Sequence, residues 1–195
     1  MKIVRHRQNL GAYAARNTGL QHARGKFITF NDADDWSHPE RIERQYFAIQ
    51  HDEMACASVS WCIQSKSDMQ LTVVGRPSLR ANLSSLMFPR NAIDSLGGFD
   101  QVRRGGDTEY IERYRALFGN DSIKDLREPL AFVQLTGGSL SRNDFRFLRT
   151  HPARLQYVAT FRHWHRKLAH NHKPGVVPLG ERAPFPAPAY ITGTL

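Results

Sequence analysis

The run Phe27-Ile28-Thr29-Phe30-Asn31-Asp32-Ala33-Asp34-Asp35-Trp36 constrains this chain more than any other stretch. Its first four residues are apolar or β-favouring and predict a short buried strand. Asp32, Asp34 and Asp35 follow at once. Such a cluster at a strand end is costly unless positive charge offsets it. Asp32 and Asp34 are two residues apart, so in an extended loop their carboxylates leave the chain on one side. Two oxygen ligands on one side suit a hard cation such as Mg²⁺ or Mn²⁺, which keeps some waters and takes further ligands from a substrate phosphate. An acidic turn that only helps start the next helix is the plainer alternative.

The surrounding pattern is strand, helix, strand, acidic loop. Lys2 to Arg5 reads as a short strand, and Asn9-Leu10-Gly11 as a turn. A helix is expected from Ala12 to Ala23, with Ala14, Ala15 and Ala23 small enough for close packing and Gly25 as its stop. Lys26 to Phe30 is the next strand. This order reads as an α/β unit with its chemistry at the carboxyl end of a strand. Ser37 and Glu40 form a capping-box pattern ahead of a helix whose apolar face is Ile42, Tyr46 and Ile49. Strands are expected at Met54–Ile63, Leu71–Val74, Ser85–Phe88 and Leu130–Gln134, and a short helix from Asn91 to Leu96. A Gly-rich, basic loop delivers Asp107 to the front of a helix with Tyr110, Tyr114 and Leu117 on its buried stripe. The last helix spans about Ala153–His170, with Tyr157, Phe161, Trp164 and Leu168 at helical spacing; the chain past Asn171 reads as an irregular Pro/Gly-rich tail.

Composition narrows the function classes. At 195 residues, 41% hydrophobic and 23% charged, the chain reads as one soluble globular domain. It has no run of eighteen apolar residues and no apolar segment of a secretory signal. Cys56 and Cys62 lie roughly 20 Å apart if on one extended strand, beyond disulfide reach, and read as reduced core residues of a cytosolic protein. The net charge is +9, but from Leu140 onward there are nine Lys/Arg against two acids, leaving eighteen against sixteen before it. A basic C-terminal segment fits an anionic membrane surface or a phosphate-bearing substrate as well as nucleic acid. A nucleic-acid module would leave the acidic loop unexplained.

Taken together, A-A-R-N-T-G-L at 14–20, N-D-A-D-D-W at 31–36 with S-H-P-E-R after it, L-G-G-F-D at 96–100 and G-G-D-T-E-Y-I-E-R at 105–113 resemble the family 2 glycosyltransferases of the GT-A fold. The likeness is strongest to those that build bacterial surface polysaccharides, and it covers about residues 3–170. It implies a GT-A (Rossmann-like) mixed sheet flanked by helices, forming a domain over 1–170 with a tail over 171–195. Against the family pattern the chain starts late, without the usual first strand, which leaves an incomplete or non-catalytic transferase domain that binds glycan or a partner as the alternative.

The resemblance also implies roles. Asp34 is the metal ligand, with Asp32 nearer the ribose or a metal-bound water, and Mn²⁺ or Mg²⁺ the cofactor. Asp107 takes the place of the catalytic base in inverting members, six positions before Arg113. The usual Glu before that base is Gly106 here, while Glu109 adds a second carboxylate that competes for the role. Arg16, Asn17 and Arg104, with Arg103 beside it, are candidates for substrate contact, and His165 or His163 for a late metal ligand. The expected partners are a nucleotide-sugar donor, UDP-sugars first, and a glycan or lipid-linked acceptor. Peripheral contact with an anionic membrane and a cytoplasmic location are expected, and no nucleic acid.

Overall fold

The computed structural model describes residues 2–66, 78–135, 145–146, 149–171 and 176–193. In chain order its first half holds α1 (Ala12–His22), β1 (Phe27–Ile28), β2 (Trp36–Ser37), α2 (Arg41–Gln50), β3 (Ala57–Lys66), β4 (Leu79–Ala81) and β5 (Phe88–Pro89). The second half holds α3 (Ile93–Leu96), α4 (Gly106–Phe118), β6 (Ile123–Leu135), β7 (Phe145–Arg146), β8 (Arg149–Thr150), α5 (Pro152–Asn171) and α6 (Ala189–Thr192). Two compact units share these elements. One comprises Met1–Ile28, Arg90–Gly119 and Ala153–Leu195; the other comprises Thr29–Pro89 and Asn120–Pro152.

The second unit is built on a four-stranded mixed sheet in the order β2-β6-β3-β4. β3 and β6 run parallel, while β2 on β6 and β4 on β3 run antiparallel. Register slips between Val59 and Trp61 and between Trp61 and Ile63. The facing stretch of β6 holds Arg127, whose φ of 53° is left-handed for a residue with a side chain. Of the expected stripe α2 buries only Ile49, together with Arg41 and Gln45. Ile42 and Tyr46 are exposed, because a polar network occupies the inner face. Gln45 donates from Nε2 to the carbonyls of Ser58 and Ser85 at 3.2 and 2.8 Å. Such a network is stable only when its buried groups are all paired.

Several sequence expectations are corrected in this unit. Ser37 does not cap α2, which starts at Arg41 without a side-chain cap. Its hydroxyl is committed instead to Asn31 Oδ1 and the Arg41 guanidinium, at 2.7 and 2.9 Å. Ser85–Phe88 is not one strand but a 3₁₀ turn at Leu83–Ser85 followed by β5. Cys62 is buried as expected, but Cys56 is exposed, just before β3 begins. The strand expected at Leu71–Val74 lies outside the described residues.

In the first unit, α1 buries Tyr13, Ala14, Asn17 and Leu20, a helical face of small and aromatic residues. α4 buries Tyr110 and Tyr114, and α5 buries Tyr157, Phe161, His165 and Leu168. The rings interlock: Phe99 stacks on Tyr110 at 4.0 Å, and Tyr13 on Phe99 at 5.8 Å. Past α5, residues 176–193 carry the short α6 and contribute core residues: Val177 and Ile191 are wholly buried. The Gly98 N–H donates to Val177 O at 2.7 Å, and the Arg103 N–H to Ile191 O at 2.8 Å. Asp100, itself buried, accepts from Tyr157 Oη, Arg182 Nε and the Ala183 N–H at 2.9, 2.7 and 2.9 Å.

Candidate active site

The acidic loop belongs to the second unit. It closes as a turn rather than an extended run, with the Asp35 N–H donating to Asp32 O at 3.1 Å. Asn31 Nδ2 donates to the Asp32 carbonyl at 2.9 Å and stiffens the same turn. Arg41, reaching in from α2, braces the entry. Its guanidinium donates to Ser37 Oγ, Thr29 Oγ1, Gln45 Oε1 and Phe30 O at 2.9, 3.1, 2.9 and 3.3 Å. A planar fork with several fixed donors can hold four acceptors at once, which lysine could not.

The turn crowds negative charge. Asp35 is pushed up to about 7, first by its own burial and then by the carboxylates of Asp32 and Asp34, with Arg80 pulling the other way. Asp34 is exposed and Asp32 half-buried. Among the described residues no three His, Cys, Asp or Glu side chains are gathered to hold a metal ion by themselves. Two aspartates completed by phosphate oxygens and water remain a chemically sound donor set for Mg²⁺ or Mn²⁺. The crowding at Asp35 is the kind of strain that a divalent cation relieves.

Asp107 lies in the first turn of α4, in the first unit, and is partly exposed. Its Oδ1 accepts from Tyr13 Oη at 3.2 Å, from the Thr108 N–H at 2.8 Å and from Thr108 Oγ1 at 3.4 Å. Among the described residues all of its hydrogen bonds fall on that one oxygen. Arg154, from the first turn of α5, donates to Thr108 Oγ1 at 3.1 Å. Arg16 lies over the rings of Tyr13 and Phe99 at 5.5 and 5.6 Å. Asn17 is buried and pairs with the Phe99 backbone in both directions, at 2.9 and 2.7 Å, so its amide locks the Gly-Gly-Phe-Asp turn onto α1. Arg104 lies over the Tyr190 ring at 4.6 Å.

Glu109 is set apart from Asp107 by burial. Its side chain has no exposure; Oε2 accepts from Arg113 Nη2 at 3.1 Å and Oε1 lies 3.0 Å from His165 Nε2. Arg113, equally buried, also donates to the carbonyls of Leu96 and Gly98 at 2.8 and 2.6 Å. His165 is 5% exposed and committed to Glu109, whereas His163 is exposed on the opposite side of α5. The structure thus gathers Glu109, His165 and Arg113 into one interior cluster, and Asp107, Arg16 and Asn17 around Tyr13 and Phe99. Tyr13, Arg41, Asp100 and Arg154 carry much of this geometry. Of these only Arg41 and Asp100 stood inside a recognisable motif.

The sequence profile of the family described as Glycosyl transferase family 2 matches residues 1–107, more than half of the chain. An uncharacterized glycosyltransferase of Haemophilus influenzae (strain ATCC 51907 / DSM 11121 / KW20 / Rd) is 26% identical over 148 residues, covering 71% of this chain and 58% of its own. YibD, an uncharacterized glycosyltransferase of Escherichia coli (strain K12), is 35% identical over 65 residues, 32% of this chain and 19% of its own. Among solved structures, S. aureus TarS 1-349 in complex with UDP-GlcNAc superposes with a TM-score of 0.56 at 14% identity. It covers 74% of this chain and 45% of that one, and the likeness is one of fold, the GT-A fold. The chain spans less than two thirds of the length of each of these relatives. By its sequence and its fold, the chain belongs to glycosyl transferase family 2.

Proposed function

We propose that this chain carries the donor and base residues of a metal-dependent, inverting glycosyltransferase. It would move a sugar from a nucleotide-diphosphate sugar to a hydroxyl of a glycan or lipid-linked acceptor. The observation that carries this reading is the crowded turn of Asp32, Asp34 and Asp35, where burial first, and then the charges of Asp32 and Asp34, raise Asp35 to about 7. Asp34 and Asp32 are the residues that would hold Mn²⁺ or Mg²⁺, which when bound neutralises the leaving diphosphate as a Lewis acid. Arg41 keeps the turn in shape for that task.

Asp107 is the group we assign to accept the acceptor proton, since it is half-exposed at a helix start. Glu109 and His165 are read as interior frame, because both are buried against each other. The UDP-GlcNAc in the TarS complex supports a UDP-sugar as first donor to try. Among the described residues no helix is long and apolar enough to cross a membrane. The exposed Arg166 and Lys167 on α5 offer peripheral contact with an anionic, cytoplasm-facing surface.

The test is a hydrolysis screen of UDP-, GDP- and dTDP-sugars with Mn²⁺, paired with two variants. Asp34→Ala should weaken Mn²⁺-dependent UDP binding at least about tenfold, roughly 1.4 kcal/mol. Asp107→Asn should bind UDP as the wild type does, yet slow turnover by about 10²-fold or more. Unchanged calorimetric UDP binding in Asp34→Ala would remove the acidic turn from the donor site.

A further inference from the structure

Gly106 stands immediately before Asp107, and its backbone does not require a glycine: only Gly11, Gly97, Gly105, Gly119, Gly180 and Gly193 are left-handed among the described glycines. Space is what makes a side chain there tight. A Cβ at 106 would lie 3.0 to 3.1 Å from three carbons of the Tyr13 ring. That ring is buried and stacked on Phe99, so it has little room to yield. The bare position at 106 is therefore what admits a tyrosine at 13, and the tyrosine's hydroxyl ends on Asp107 Oδ1.

The phenol can act in one direction only. Burial and, second to it, the Asp107 charge push its ionisation far above the usual tyrosine range, so it stays protonated and donates. Together with the Thr108 N–H it pins one carboxylate oxygen from two sides. The other oxygen, Oδ2, has no hydrogen bond to a described residue and is the one that can meet an incoming hydroxyl.

We propose that Tyr13 is a positioning residue for Asp107, anchoring Oδ1 so that Oδ2 takes the acceptor proton, and that the bare Gly106 makes room for its ring. This rests on the assignment of Asp107 as base. A carboxylate held by a single side would rotate about its own bonds and reach the attacking geometry less often, which costs rate rather than affinity.

The experiment compares Tyr13→Phe, Asp107→Asn and the double variant, using whichever UDP-, GDP- or dTDP-sugar the wild type hydrolyses with Mn²⁺. Tyr13→Phe keeps the ring and removes one oxygen. It should lower kcat about tenfold, the scale of one hydrogen bond to a charged group, with donor KM and UDP affinity within about twofold of wild type. The double variant should be no slower than Asp107→Asn alone, because the two residues act as one unit. Gly106→Ala should lower kcat and Tm in the wild-type background and be tolerated once Tyr13→Ala has removed the ring. A slow Asp107→Asn beside a Tyr13→Phe of wild-type rate would overturn the positioning role and leave the base assignment standing. A fully active Asp107→Asn, or a wild type that hydrolyses no donor, would overturn both.

Discussion

Replacing Glu109 by Gln separates interior frame from proton acceptor. Glu109 and Arg113 have no side-chain exposure and meet at 3.1 Å, so the substitution leaves a guanidinium charge buried without its counter-ion. Breaking a buried pair by removing one partner typically costs about 3–5 kcal/mol. Arg113 keeps the Leu96 and Gly98 carbonyls, and a glutamine oxygen can still accept one bond, which points to the lower end, about 3 kcal/mol. That is a large part of the roughly 5–15 kcal/mol that holds a domain folded. For a chain of this size it corresponds to a fall in Tm of about 6–12 °C. Urea unfolding with a constant m-value, alongside thermal melting, reads the loss. Adding Arg113→Met should recover part of it, because an apolar pair of similar volume tolerates this interior better than half an ion pair. A Glu109→Gln variant within about 1 kcal/mol of wild type would refute the frame assignment. If that stable variant had also lost transfer, the base role would pass to Glu109.

Other expectations follow from the same geometry. Arg41→Lys should cost about 2–3 kcal/mol, since four acceptors lose a fork that spans them, and calorimetry should show weaker Mn²⁺-dependent UDP binding; unchanged binding would mean the turn holds itself. Asp35 moves from an unfolded value of 3.8 to about 7 in the folded chain. Between about pH 4 and pH 7 the folded state holds a proton that the unfolded state has released, so stability falls as pH rises through that window and levels off above it. Asp35→Asn should flatten this slope in urea midpoints, and an unaltered slope would assign the effect to another group. Asp100→Ala strands three donors, and limited proteolysis should then cut the 176–193 segment before α1 or α4; equal protection in variant and wild type would show that Asp100 does not tether it.

Much of the helical frame was legible because its signals are local. The spacing of Tyr157, Phe161 and Leu168 predicts α5, and Asp107 does open α4. The acidic turn was visible from charge density alone. The inner face of α2 is not legible from periodicity, which counts apolar residues, whereas here Arg41 and Gln45 bury themselves by pairing with each other and, through Gln45, with the carbonyls of Ser58 and Ser85. Ser37 illustrates the same limit: its capping pattern is local, but Arg41 and Asn31 claim the hydroxyl. Glu109 and Asp107 look equivalent in sequence, and only the folded chain shows one sealed against Arg113 and the other half-exposed. Tyr13 carried no signal at all, because its meaning lies in a glycine 93 positions later.

The Gly97-Gly98 crossing sets an order of events for folding. A Cβ at Gly98 would lie 2.7 Å from Asn17 Oδ1 and 2.9 Å from a Leu179 methyl, and Gly97 is closed over by the Val177 backbone. Asn17 and Phe99 are 82 residues apart, as are Asp100 and Arg182. As the chain leaves the ribosome, α1 must wait for the 97–100 turn, and that turn must wait again for Val177 and Arg182. The second unit meanwhile has its own long closure, since β3 and β6 pair in parallel with Ala57 opposite the distant Ile123. Contacts so distant in sequence form slowly, and they leave apolar faces open while they wait. From this crossing we expect chaperone dependence during synthesis and a yield that improves at lower expression temperature.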